Sequence, residues 1–203
     1  NMIDLYTWHT PNGRKVSIML EEIGITYNVF PINIAKDEQF QPHFLEVSPN
    51  NRIPAIVDKD NNNYSLFESV AILMYLAEKS GKLINRSNSD EYYRTIEWLM
   101  WQMGGVGPMF GQVHHFVKYN KGKSAYAEER YSKEARRLYG VMDKRLGQHQ
   151  YISGKEYSIA DISIWPWTAR FDWQEIDLSE YKNVTRWYKD CLLYTSPSPR
   201  DFT

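Results

Sequence analysis

Ser48-Pro49-Asn50-Asn51-Arg52-Ile53-Pro54-Ala55-Ile56-Val57, followed by Ser65-Leu66-Phe67-Glu68-Ser69, is the stretch that decides the fold. Pro54 has no N–H to give to a sheet ladder, so ahead of the apolar run Ala55 to Val57 it belongs at a strand entrance or bend, where a cis peptide can occur. A strand entered this way leaves a backbone edge open, and such an edge can pair with an extended peptide. Glu68 and Ser69, at a helix start just beyond, supply groups for the charged end of a ligand lying there.

Outward from this stretch, the first eighty residues alternate between strand and helix patterns. Ile3 to Thr7 is short and β-rich, and the turn signals Pro11 to Gly13 bound it. From about Arg14, Val16, Met19, Leu20 and Ile23 recur at helical spacing, with Gly24 as the stop. Tyr27 to Ile34 reads as a second strand whose Pro31 argues for a sheet edge or bulge. Phe40 to Val47 holds a short irregular helix, Ala55 to Asp58 a third strand, and Asn61 to Asn63 a turn into Tyr64 to Phe67. Ser69 is expected to cap a helix carrying Val70, Leu73, Met74 and Ala77 on one stripe. The order βαβαββα is the thioredoxin-like pattern, over residues 2–81.

Lys82 to Ser89 is polar and reads as a linker. Beyond it the strand signals vanish, and residues 90–190 form an all-helical domain. Asp90 to Met103 and Ser124 to Gln148 are its first long helices, the second with Leu138, Val141, Met142, Arg145 and Leu146 on its buried side. Gly104-Gly105-Val106-Gly107-Pro108 means a break in isolation, but between helical flanks it implies close packing or a kink. Ser158-Ile159-Ala160-Asp161 has the form of a capping box, with Tyr157 and Ile162 as its apolar staple.

Composition limits the function. The chain has 203 residues, 42% of them apolar, and a formal net charge of -1. That balance offers no basic footprint for nucleic acid and no polybasic attraction to an anionic membrane. The longest apolar run, Val70 to Ala77, is far below the roughly 20 residues of a bilayer span, and no secretory h-region opens the chain. Its one cysteine, Cys191, excludes an internal disulfide, a CxxC pair and a cysteine zinc site, which suggests a cytoplasmic protein. Asn1 reads as a leftover ahead of a natural start at Met2. Tyr194 to Asp201 has two prolines and no helical period, so residues 191–203 are expected to be a non-native tail in which Cys191 has no role.

Taken together, the two-domain pattern, Ile53-Pro54, Glu68-Ser69 and the Ser158 to Asp161 box resemble a cytosolic glutathione transferase. Leu5-Tyr6, Thr10-Pro11-Asn12-Gly13, Leu20-Glu21-Glu22, Ser48-Pro49-Asn50-Asn51, Gly104 to Met109, Gln112, His114-His115-Phe116 and Trp165-Pro166-Trp167 resemble the bacterial Nu class, and Gln112 is among the binding residues this implies. That class is related to the fungal nitrogen-regulator prion protein. The resemblance implies an α+β glutathione transferase fold and a homodimer. It also implies a glutathione-dependent disulfide-bond reductase with possible peroxidase or conjugating side activity, glutathione as co-substrate and no metal.

It further implies site residues. Thr10 and Asn12 are the candidates to hold the glutathione thiolate, with Asn12 as a simple helix cap and Tyr6 as a rival donor or a core residue. The cysteinyl part would pair with the backbone of Ile53, next to Pro54. The γ-glutamyl ammonium would meet Glu68 and its carboxylate Ser69, although a solvated helix-entry charge and an N-cap also describe those two. Gln39 and Arg52 match positions that contact the far end of the tripeptide. Arg130 matches an arginine that reaches the neighbouring subunit's ligand, and an ordinary helical ion pair is its other reading.

His114 and His115 point about 100° apart on a helix, with no Asp, Glu or His at i+3 or i+4, so a cleft-lining or packing role is expected, with Gln112 beside them. Trp98, Trp101, Trp165, Trp167 and Trp173 read mostly as core, with an apolar substrate pocket as the other place for some of them. With no cysteine available for a mixed disulfide, the sulfur chemistry must run through the bound tripeptide, reduced or oxidised, acting on a small disulfide, peroxide or electrophile. The alternative is a non-catalytic regulatory or binding protein of the same fold, made less attractive by the lack of an Asn/Gln-rich tract.

Overall fold

The computed structural model describes residues 2–195, which form two compact units: residues up to Lys82, and Leu83–Leu193. In the first unit, β1 (Ile3–Thr7), α1 (Pro11–Ile23), β2 (Tyr27–Pro31), α2 (Pro42–Leu45), β3 (Ala55–Asp58), β4 (Tyr64–Phe67) and α3 (Ser69–Ser80) follow in order. The sheet runs β2-β1-β3-β4; β2 lies parallel to β1, and β3 and β4 are antiparallel to their neighbours. Pro31 ends the edge strand β2, where its missing N–H costs no ladder bond. Helices α1 and α3 pack together and bury Val16, Met19, Leu20, Ile72, Leu73 and Leu76. A second cluster of Ile32, Phe44 and Ala55, with Tyr6 and Ile53 against it, lies under the α2 segment.

Two helix starts differ from the sequence expectation. Helix α1 begins at Pro11, three residues before Arg14, because Thr10 is its N-cap and a proline at the first helical position has no N–H to lose. Helix α3 is capped by the backbone of Glu68, and Ser69 is already its first residue. The second strand also stops at Pro31, and 3-10 turns at Ile34–Lys36 and Glu38–Phe40 follow it.

The second unit contains α4 (Ser89–Trp101), α5 (Gly107–Val113), α6 (Ala125–Leu146), α7 (Ile159–Thr168) and α8 (Lys182–Thr195). Gly104 to Pro108 breaks nothing: a π-helical turn at Gln102–Val106 joins α4 to α5, and another at His114–Tyr119 continues α5. Gly107 instead allows close packing, since a β-carbon there would sit 2.7 Å from Gln102 Nε2. On α6 the buried side includes Leu138, Tyr139, Met142 and Leu146, whereas Arg145 is half-buried and donates to the carbonyls of Ile152 and Ser153.

The capping box at α7 forms as expected, and Asp161 does more than cap. Fully buried, it accepts from the N–H groups of Ser158 (2.9 Å) and Ile152 (3.0 Å) and from Trp187 Nε1 (2.7 Å), tying α7 to α8 and to the loop before it. Of the residues read as a foreign tail, 191–195 continue α8 and Cys191 is fully buried. The remainder, 196–203, lies outside the described residues. No described helix is long and apolar enough to cross a membrane.

Candidate functional site

Strand register gathers the site. Tyr6 lies opposite Ala55, and Ala55 opposite Phe67, so β1 ends, β3 begins and β4 ends in one row. Three turns therefore leave the same end of the sheet: Thr7 to Asn12, Arg52 to Pro54, and Glu68 to Ser69. β2 ends there too, with the Ile32 N–H donating to the Thr7 carbonyl at 2.9 Å. This row brings together Thr10, Asn12, Arg52, Ile53, Pro54, Glu68 and Ser69.

In the first turn, Thr10 Oγ1 accepts from the Gly13 N–H at 3.0 Å. A hydroxyl that accepts in this way still carries a proton to donate, so capping and ligand binding are compatible at Thr10. Since Thr10 is the cap, Asn12 is not; it lies half-buried in the first turn of α1, where the helix dipole favours an anion. The Tyr6 ring stacks on Phe30 (5.1 Å between centroids) and packs near Phe44, against the second core cluster. Burial first, and Asp4 second, push its hydroxyl further from ionising.

Gly13 makes this turn possible. A β-carbon there would strike the Trp8 carbonyl oxygen and lie 2.5 Å from Thr7 Oγ1. Because the obstacle includes backbone, Gly13→Ala should displace the Thr10 cap. The expected loss is about 2 kcal/mol or more, read as a lower denaturation midpoint in urea.

The second turn is tied from behind by buried Ser48, whose Oγ donates to the Arg52 carbonyl at 2.7 Å. The Ile53–Pro54 peptide is cis, Pro54 is buried and the Arg52 side chain is exposed. At the third turn Glu68 is exposed and holds φ 75°, ψ 114°, a left-handed conformation that a residue with a side chain rarely adopts. Such strain collects where a turn must present particular groups. Ser69 next to it is buried and accepts from Lys15 Nζ at 3.1 Å.

Lys15 was not singled out by its sequence. It is fully buried in α1, and burial lowers its ammonium to about 7, with the Glu68 carboxylate acting in the opposite direction. In the sequence nothing sets Lys15 apart from its neighbour Arg14, and only the packing of α1 on α3 shows its burial.

Residues 2–78 match the family described as glutathione S-transferase, N-terminal domain, and residues 125–190 match glutathione S-transferase, C-terminal domain. The chain belongs to the glutathione S-transferase family. It is 47% identical over 192 residues to the disulfide-bond oxidoreductase YfcG of Escherichia coli (strain K12), a match covering 93% of this chain and 89% of that protein. Among solved structures, it is similar to a glutathione transferase family member from Pseudomonas fluorescens Pf-5 with two glutathione bound. That match has TM-score 0.89 and 44% identity, over 98% of this chain and 89% of the other. A glutathione transferase from Pseudomonas putida, with one glutathione disulfide bound per subunit, matches with TM-score 0.86 and 42% identity, over 98% and 88% of the two chains.

The other residues expected in the transferase site lie outside the row of turns. Gln39 is half-buried in the 3-10 turn that follows β2, and its Oε1 is buried without a hydrogen-bond partner. Gln112 is exposed on α5. Arg130 is exposed on α6 and borders a cleft of about 750 Å³ with Met109, Tyr126, Glu134 and Arg137. Glu134 there pairs with Arg137 at 2.6 Å. Of the histidines, His114 is buried between Trp167 and Trp173, within 3.0 Å of Gln174 Nε2, and burial lowers it to about 4. His115 is exposed against Phe116. Trp165 and Trp167 are core, whereas Trp98, Trp101 and Trp173 are half-buried.

Proposed function

We propose that the row of turns binds glutathione and that its thiolate, held by Thr10 and Asn12, reduces small disulfides. The observation that carries this reading is the Thr10 cap: one hydroxyl accepts from Gly13 and keeps its proton for a ligand sulfur, beside the N-terminus of α1. A free thiol has a pKa of about 8.5, and lowering it by two units takes about 2.7 kcal/mol. One or two charge-assisted hydrogen bonds near a helix N-terminus supply that much.

The cysteinyl segment pairs with the Ile53 backbone at the Pro54 entrance. The γ-glutamyl ammonium meets Glu68, its carboxylate meets Ser69, and Gln39 with Arg52 hold the other end. The first thiolate attacks one sulfur of the substrate disulfide, forms a mixed disulfide and expels a substrate thiolate, which takes up a proton. A second glutathione thiolate then attacks the glutathione sulfur of that mixed disulfide, giving oxidised glutathione and the second substrate thiol. Two glutathione molecules supply the two electrons, and no protein thiol takes part. The relatives named above, one an oxidoreductase and two solved with reduced or oxidised glutathione, support this reading. A compartment rich in reduced glutathione, such as the cytoplasm, is the matching setting.

Turnover of 2-hydroxyethyl disulfide with reduced glutathione, coupled to an NADPH-dependent glutathione reductase, tests the assignment; no turnover by the folded protein sinks it. We further infer a homodimer in which Arg130 of one copy reaches the glutathione of the other. Arg130→Ala should then raise KM for glutathione about tenfold without loss of secondary structure. An unchanged KM would return Arg130 to the role of a helical ion-pairing residue.

A further inference from the structure

The proposed site accounts for Ser69 but not for the buried cation behind it. Lysine is rarely buried completely, because desolvating an ammonium is costly unless partners compensate. Lys15 lies in α1, on the side packed against α3, with no exposed surface, and its Nζ donates to Ser69 Oγ across 54 positions of sequence. We propose that Lys15 is a positioning residue for the glutamyl carboxylate of glutathione, orienting the Ser69 hydroxyl and setting a positive charge behind the first turn of α3. The inference rests on the glutathione reading above.

Three physical points support it. An ammonium can only donate, so Ser69 Oγ is the acceptor in this pair and its own hydroxyl proton stays with the serine. The carboxylate of Glu68, one residue away, is the charged group that favours the protonated form of Lys15, and burial opposes it. An arriving ligand carboxylate acts in the same sense as Glu68, so binding strengthens the cation that supports it. A lysine kept only for packing has no such coupling, and an apolar chain of equal length would serve it better.

The experiment compares two probes on the full-length protein by calorimetry: reduced glutathione, and 4-aminobutyryl-Cys-Gly, which lacks only the glutamyl carboxylate. Wild type should bind glutathione at least about tenfold more tightly than the analogue. In Lys15→Met the preference should shrink to within about threefold, while the thermal midpoint stays at or above that of wild type. Lys15→Gln, which keeps a polar tip without the charge, should behave in the same way and serves if the Met variant does not fold. A preference retained in a folded variant overturns the role of Lys15 alone. Wild type that binds neither probe overturns the glutathione reading itself.

Discussion

Replacing Thr10 and Asn12 together by alanine should lower kcat/KM for glutathione-dependent disulfide reduction severalfold, and at most about 25-fold, near pH 7. Returning a thiol from a pKa near 6.5 to one near 8.5 cuts its thiolate fraction about 25-fold at that pH, and the greater nucleophilicity of the more basic thiolate offsets part of the loss. Thr10 also caps α1, so part of the effect of Thr10→Ala is a destabilisation of about 1 kcal/mol. Thr10→Ser separates the two roles, because it keeps both the Gly13 bond and the donating hydroxyl, and it should retain most of the activity. The direct measurement is the ultraviolet absorbance of bound thiolate against pH. A titration midpoint that does not move in the double variant would show that these two side chains do not hold the sulfur.

The largest expected effect on stability is at Asp161. Asp161→Ala strands two backbone N–H groups and the Trp187 indole N–H in a dry interior, at a cost of about 3–5 kcal/mol, or on the order of 10 °C in melting temperature. Asp161→Asn should cost less, because one oxygen survives to accept from Ile152 and Trp187. Burial raises the Asp161 carboxyl to about 6, above its ordinary 3.8 and against the pull of its hydrogen bonds. The folded state thus binds more protons than the unfolded chain between those values, so this group favours folding more as pH falls through that window. The advantage of wild type over Asp161→Asn should therefore widen, by about 2 kcal/mol, between about pH 7 and about pH 4.5. Melting curves in which the gap narrows on acidification would contradict this account.

The strands at the site were legible because their boundaries are chemical. Pro54, the asparagine turn at 61–63 and the apolar runs between them allow β3 and β4 little choice of limits, and Pro31 marks the edge strand as expected. Local signals also carried the Ser158 box, where every partner lies within four residues. Failures occurred where a residue answers to something distant or to the conformation of its neighbour. Ser69 has the right side chain for a cap, but Glu68 takes the capping position with a left-handed backbone that no composition rule anticipates. Pro11 was read as a turn because Gly13 follows, whereas Thr10 ahead of it makes the same residues a helix start. Gly104 to Gly107 continues a helix, as its helical flanks imply, with Val106 and Gln102 held in the interior of the second unit. Lys15 was invisible because its partner is on another helix.

The buried position of Cys191 has a practical consequence. Its sulfur is shielded from solvent, and burial together with Asp161 and Asp190 keeps it in the unreactive thiol form. The native protein should therefore be indifferent to iodoacetamide and to the oxidants it meets during turnover. Alkylation followed by intact-mass measurement should leave the folded polypeptide at its unmodified mass, and an adduct on the native chain would show that Cys191 is within reach of solvent.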